Sequence, residues 1–285
     1  MPGGAVASLC LHEWVRDEVS ASTPLLLLHG FTGCGLAWEH AARLLAEPAR
    51  VLVPDLPGHG ESVAREDASD CTFDAVAGAL ESVLDAAGVA SCDLHGYSMG
   101  GRIALYFALT RPARVRRLSL ESASAGFASA GEREARKRSD EDLARLACAE
   151  GIERFVDRWE RTPVLATQLR LPCEERARVR ALRLRNSVDG LAASLRGMGT
   201  GTQPYLGDQL ASLSMPVLVM AGEDDAKFSS LARDLVHGIV DSRLALIPGA
   251  GHTPHLEQPQ RWAAALDSFL AETQRGESCR SSGRP

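Results

Sequence analysis

Lysine is almost missing from this chain: Lys137 and Lys227 are the only two among 285 residues, and arginine carries the rest of the positive charge. A bias this general follows composition, so an arginine by itself is weak evidence of function. No apolar run approaches the ~18 residues a bilayer demands, which excludes a spanning helix. The opening stretch MPGGAVASLCLHEWVRDEV has no basic segment followed by an apolar one, so it does not read as a secretory signal. Cysteines at 10, 34, 71, 92, 148, 173 and 279 are odd in number and show no C-x-x-C spacing. They read as reduced thiols of a cytoplasmic protein, with neither a disulfide frame nor a metal site. Internal repeats are also lacking. The net charge of −6 gives no reason to expect nucleic acid or an acidic membrane as partner.

What is present is ordinary globular composition, 45% hydrophobic and 24% charged, in a length suited to one large α/β domain with an insertion. Short apolar runs at Leu25 to Leu28, Val51 to Val53, Cys92 to Leu94, Leu118 to Leu120, Val217 to Met220 and Leu244 to Ile247 read as strands buried on both faces. Helical stretches separate them. Phe73 to Ala87 carries an apolar stripe at Phe73, Val76, Ala77, Leu80, Val83 and Leu84, and further helices fit Met99 to Leu109, Ser229 to Val240 and Gln260 to Thr273. Such alternation predicts a mostly parallel sheet with helices on both faces.

The alternation stops between Ser124 and Tyr205, where the pattern is helical and Arg-rich. A compact domain does not carry an 80-residue loop, so residues 124–205 are expected to form a helical lid inserted into a core of 1–123 and 206–273. The lid holds 15 basic residues against 12 acidic ones, an excess of +3 inside an acidic chain, which favours a small anionic ligand near it. Residues 274–285 lack apolar periodicity and read as a flexible tail.

Gly96-Tyr97-Ser98-Met99-Gly100 matches the G-x-S-x-G turn that exposes a nucleophile between a strand and a helix. A serine matters chemically only with a base and a group that orients the base. Both follow in the expected order, each just after a strand: Asp225 in Gly222-Glu223-Asp224-Asp225, then His252 in Gly249-Ala250-Gly251-His252. Asp224 and Glu223 compete with Asp225, and His255 competes with His252. An oxyanion hole needs two backbone N–H donors. Met99 supplies one; Phe31, in the turn His29-Gly30-Phe31-Thr32-Gly33, supplies the other. His29 and His59 read as loop braces, and His12, His40, His95 and His237 as structural histidines. Arg102, one helical turn beyond Ser98, places a guanidinium that a hydrolase of neutral esters does not need.

Several stretches taken together resemble one family: LHGFTG (28–33), PDLPGHGES (54–62), GYSMGGR (96–102), ERFVDRWE (153–160), SLRGMGTGTQP (194–204), GEDDAKF (222–228) and AGHTPHLEQP (250–259). They are similar to the 2-succinyl-6-hydroxy-2,4-cyclohexadiene-1-carboxylate (SHCHC) synthases of menaquinone biosynthesis, within the alpha/beta-hydrolase superfamily, from about Leu25 to Pro259. The resemblance implies an alpha/beta-hydrolase fold and a lyase without cofactor or metal. Its substrate, 2-succinyl-5-enolpyruvyl-6-hydroxy-3-cyclohexene-1-carboxylate, carries three carboxylates and loses pyruvate. The family's carboxylate-binding arginines fall by position on Arg102, on Arg136 (with Arg133 and Arg138 beside it) and on Arg185 (with Arg183 two residues earlier). Tyr97 and Trp159 match pocket positions, and Trp159 equally suits the lid core. Leu206 departs from the pattern, since many relatives would place a tryptophan after the QP dipeptide. Two other readings stay open on the residues alone: a serine hydrolase of a small anionic ester or thioester, and a ligand-binding protein that kept the fold without catalysis.

Overall fold

In the computed structural model, residues 9–15, 23–46, 49–65 and 67–281 are described, the last ten of these by backbone alone. Seven strands form one sheet in the order β1-β3-β2-β4-β5-β6-β7. They are β1 (Leu11–Val15), β2 (Leu25–Leu28), β3 (Arg50–Pro54), β4 (Cys92–Tyr97), β5 (Val115–Glu121), β6 (Val217–Gly222) and β7 (Ser242–Ile247). All neighbours run parallel except β1, which pairs antiparallel with β3 through Leu11↔Pro54 and Val15↔Arg50. The six expected strands are all present. β1 was not foreseen, because LHEWV is a half-exposed edge strand and has no continuous apolar run to mark it.

Around the sheet lie α1 (Glu39–Leu44), α2 (Phe73–Ala86) and α3 (Met99–Thr110), then α4 (Ala130–Trp159), α5 (Cys173–Arg183) and α6 (Val188–Met198) between β5 and β6. α7 (Ala226–Gly238), α8 (Pro254–Glu257) and α9 (Pro259–Ser281) complete the chain. The strand period of two sorts the core. Leu26, Leu28, Leu52, Leu94 and Leu118 pack with α2, α3 and α7 on one face. Leu25, Leu27, Val51 and Val53 pack with Trp38 and with Trp262 of α9 on the other. α9 carries its helical backbone to Ser281, into the stretch expected to be a tail; 282–285 lie outside the described residues. Among the described residues no helix is long and apolar enough to cross a membrane.

The inserted segment contains helices and no strand among the described residues. α4 is broken at Gly151, whose φ of 78° lies in the left-handed region that favours glycine. The break turns Phe155 and Trp159 toward the core domain. Phe155 packs with Ala147 and Leu191, Ala144 with Ala192 and Leu195, and Phe31 reaches from the core domain into both groups. Leu206, where a tryptophan was expected, is buried in the main core and donates its N–H to the Ala125 carbonyl at 2.8 Å.

α3 approaches the sheet so closely that a Cβ on Gly100 would strike the Leu28 carbonyl and lie 2.6 Å from the His29 carbonyl oxygen. Backbone atoms in a central strand cannot retreat, and overpacking costs about 1–3 kcal/mol. Gly100→Ala is therefore expected to lower Tm by roughly 3–10 °C in a calorimetric scan; an unchanged Tm would show that the helix can move away.

Candidate active site

β4 ends at Tyr97 and α3 begins at Met99, so Ser98 alone makes the reversal. It does so with φ 52° and ψ −109°, a strained conformation for a residue with a Cβ. The strain is held by neighbours: the Ser98 N–H donates to the Glu121 carbonyl at 2.8 Å, and the Arg102 N–H returns to the Ser98 carbonyl at 3.0 Å.

The three residues expected to act together do meet. Ser98 Oγ lies 3.0 Å from His252 Nε2, and His252 Nδ1 lies 3.1 Å from Asp225 Oδ2. The other Asp225 oxygen accepts the Phe228 N–H at 3.0 Å, capping α7 and fixing the carboxylate. Burial opposes ionisation of Asp225. The hydrogen bonds from His252 and Phe228, with the nearby charge of Lys227, outweigh it and hold its pKa below the usual value. Asp224 instead pairs with Arg170 of the lid, and Glu223 is exposed. His255 is instead held by Glu121, its Nδ1 2.7 Å from Oε1.

Above Ser98 opens a cavity of about 700 Å³, between the core domain and the lid. Phe31 and Met99, the expected oxyanion pair, both line it, and so do Tyr97 and Trp159. Met99 is the first residue of α3, so its N–H has no partner within the helix. Trp159 serves both of its open readings: it borders the cavity and packs edge-on against Phe31 at 5.2 Å between ring centroids. His29 and His59 brace the loops beneath. His29 Nε2 accepts the Leu56 N–H at 2.9 Å, and burial pushes the His59 pKa down to about 3.

The cavity is lined by three arginines, but not the expected three. Arg102 is there, buried, donating Nη1 to the Met198 carbonyl at 2.7 Å, and desolvation brings its pKa down to about 10. Arg136 is there, its Nε 2.7 Å from Asp140. Arg185 is not among the lining residues: its guanidinium is half exposed and pairs with Glu61 at 2.9 Å. Arg183 takes that place, buried and bonded to Glu160 Oε1 at 2.9 Å and Gln168 Oε1 at 2.8 Å. The physical reason is helical phase. Val179 and Arg183 are the buried residues of α5, one turn apart, whereas Arg185 falls after the helix has ended. The spacing from Val179 could have selected it.

Two further residues gave no motif signal. Asn186 is buried between lid and core, accepting the Gly60 N–H at 2.9 Å and donating to the Thr32 carbonyl at 2.9 Å. Glu121 is fully buried, its carboxylate shared between His95 Nε2 at 3.0 Å and His255 Nδ1 at 2.7 Å. Burial alone would raise its pKa, yet the charge of His255 and then the hydrogen bonds from His255 and His95 outweigh it and bring it down to about 2.

With this geometry in place, comparison with known proteins narrows the choice of chemistry. The family model described as alpha/beta hydrolase fold matches residues 23–259. A Bacillus subtilis (strain 168) protein, named in provisional form as a 2-succinyl-6-hydroxy-2,4-cyclohexadiene-1-carboxylate synthase, is 39% identical over 257 residues, 90% of this chain and 93% of its own. The enzyme of that name from Serratia proteamaculans (strain 568) is 35% identical over 90% of this chain and 96% of its own. The structure of MenH from S. aureus superposes with a TM-score of 0.88 at 34% identity, covering 93% of this chain and 98% of that one.

Glu121 yields a stability prediction independent of any activity. Glu121→Gln replaces the charged acceptor by a neutral amide and forces His95 into the tautomer that donates to Ser119, an expected loss of about 2–3 kcal/mol at pH 7, or roughly 4–12 °C in Tm. A carboxylate with a depressed folded-state pKa stabilises fully above its ordinary value of 4.5 and loses that contribution as pH falls toward about 2. The gap between wild type and variant should thus hold from pH 7 to 4.5 and narrow below it. A constant gap in acid unfolding curves would contradict this account.

Proposed function

We propose, on the premise that this chain belongs to the 2-succinyl-6-hydroxy-2,4-cyclohexadiene-1-carboxylate synthase family of the alpha/beta hydrolase fold, that its triad moves a proton and forms no bond to substrate. The chain is accordingly a carbon–oxygen lyase of menaquinone biosynthesis. The substrate is the succinyl enolpyruvyl cyclohexene carboxylate, and the reaction eliminates pyruvate without water as a reactant.

His252, oriented by Asp225, takes the Ser98 hydroxyl proton, and the serine oxygen removes the ring proton beside the succinyl carbonyl. The electrons of that C–H bond pass first to the carbonyl oxygen, where the Phe31 and Met99 amides stabilise the enolate. They then return through the ring alkene, forming the second double bond and breaking the bond to the enolpyruvyl oxygen. Ser98 keeps the ring proton as its own hydroxyl, and protonated His252 supplies the proton that turns the departing enolate into pyruvate. The imidazole ends neutral, so protons and electrons balance.

The observation that carries this reading is the ring of Arg102, Arg136 and Arg183 around the cavity over Ser98. Guanidinium forks match carboxylates bidentately, and the substrate has three. A protein lid over the serine also limits water, which favours elimination over hydrolysis. The described cysteines are all free, which suits a cytoplasmic enzyme.

Supplying the substrate and coupling pyruvate release to a dehydrogenase tests the reaction. Ser98→Ala is expected to lower kcat by at least about 10³-fold, and intact-mass spectrometry during turnover should find no adduct. A covalent intermediate on Ser98 with this substrate, or hydrolysis without pyruvate, would replace the lyase mechanism with acyl transfer. Arg183→Ala should raise KM about 10- to 100-fold with a smaller change in kcat, the range of a lost charge-assisted hydrogen bond. Arg185→Ala should leave KM within about twofold, as expected for an exposed ion pair; the reverse pattern would restore Arg185 to the site.

A further inference from the structure

On the far side of the loop after β3, outside the catalytic cavity, Cys10, His12 and Asp55 bring Sγ, an imidazole nitrogen and a carboxylate oxygen all within 4.8 Å of one another. Strand geometry puts them there. Cys10 and His12 are two residues apart, so both side chains leave the same face of the antiparallel edge. The Asp55 N–H bonds the Cys10 carbonyl at 2.9 Å, which holds Asp55 opposite them. Glu61 lies beside the thiol, outside that mutually close set of three, with Oε2 3.7 Å from Cys10 Sγ.

Two edges of a tetrahedral site are already near length. Zinc–ligand bonds of about 2.0–2.3 Å imply N···O and S···O separations of roughly 3.3 and 3.5 Å. His12 Nε2 stands 3.4 Å from Asp55 Oδ2, long for a hydrogen bond, and the Cys10–Glu61 pair stands at 3.7 Å. Independently, Asp55 is 1% exposed and accepts the Gly35 N–H at 2.5 Å and the Glu61 N–H at 2.8 Å. Among the described residues no arginine or lysine forms an ion pair with it. A buried carboxylate with no full cationic partner is the setting in which a bound metal offsets desolvation.

We propose that Cys10, His12, Asp55 and Glu61 form a binding site for a borderline-soft divalent cation of the zinc class. The mixed thiolate, imidazole and carboxylate set suits such an ion better than magnesium or calcium, which take oxygen ligands. Binding forms the metal–sulfur bond and releases the Cys10 thiol proton to solvent; no oxidant is involved. It also draws on Glu61, which otherwise pairs with Arg185 at the junction of α5 and α6. Metal and lid therefore compete for one carboxylate.

The test uses the full-length protein, stripped with chelator and titrated with cobalt(II) as a spectroscopic substitute and with zinc in competition. One equivalent should develop thiolate-to-cobalt charge transfer and the intense visible bands of a tetrahedral site, both abolished by zinc. Cys10→Ala and His12→Gln should each weaken binding by at least about tenfold with little change in the metal-free Tm. Arg185→Ala, which releases Glu61, should bind about two- to fivefold tighter. No thiolate band in the wild type, or a band that survives in Cys10→Ala, overturns the proposal and leaves Asp55 as a loop brace alone. Equal or weaker binding by Arg185→Ala overturns the part assigned to Glu61.

Discussion

The hydrogen bond from the Ser98 amide to the Glu121 carbonyl is the contact on which the site depends. It fixes a residue whose backbone is strained, and it does so from the next strand of the sheet. The same Glu121 uses its carboxylate to hold the amide and ring of His255, three residues beyond His252. One residue at the end of β5 thus references both Ser98 and the segment that carries His252. The central strands β2, β4 and β5 are buried and paired on both sides, so these anchors are among the least mobile in the chain.

Above that rigid floor, the lid is organised by apolar packing more than by its charge. Phe31 projects from the oxyanion turn into both hydrophobic groups of the lid, and Trp159 closes on its ring. The segment expected to supply an oxyanion donor is therefore also the one that senses the lid. Most lid arginines are spent on neighbouring acids: Arg138 on Glu134, Arg145 and Arg196 on Glu141, Arg158 on Glu150, Arg178 on Glu175. Exposed pairs of this kind contribute little stability. Of the lid arginines, Arg136 and Arg183 line the cavity, each also paired with an acid, and Arg102 of α3 joins them there.

Legibility followed how local each signal was. Ser98, Asp225 and His252 could be read because each sits at a strand end within a short Gly-bearing turn, and local chain chemistry decides such turns. Of Arg183 and Arg185 the sequence singled out Arg185, whereas Arg183 is the one that lines the cavity; the two share one motif, and only the phase of α5 separates them. Glu121 was invisible as a functional residue: a lone glutamate closing an apolar run gives no hint that two histidines, from β4 and α8, converge on it. Cys10 is likewise a stray thiol in sequence, and only in space does it lie beside His12, Asp55 and Glu61.

By itself the sequence determined the mostly parallel sheet and the family, and it singled out Ser98, Asp225 and His252, whose side chains meet. Apolar periodicity and turn chemistry act over a few residues and survive without knowledge of the fold. The tertiary structure alone decided which arginines line the cavity over Ser98, that β1 closes the sheet edge antiparallel, and that Glu121 ties the Ser98 turn to the segment bearing His255. Each of those depends on residues tens to more than a hundred positions apart meeting in space, where burial and helix phase, not residue type, select between chemically identical side chains.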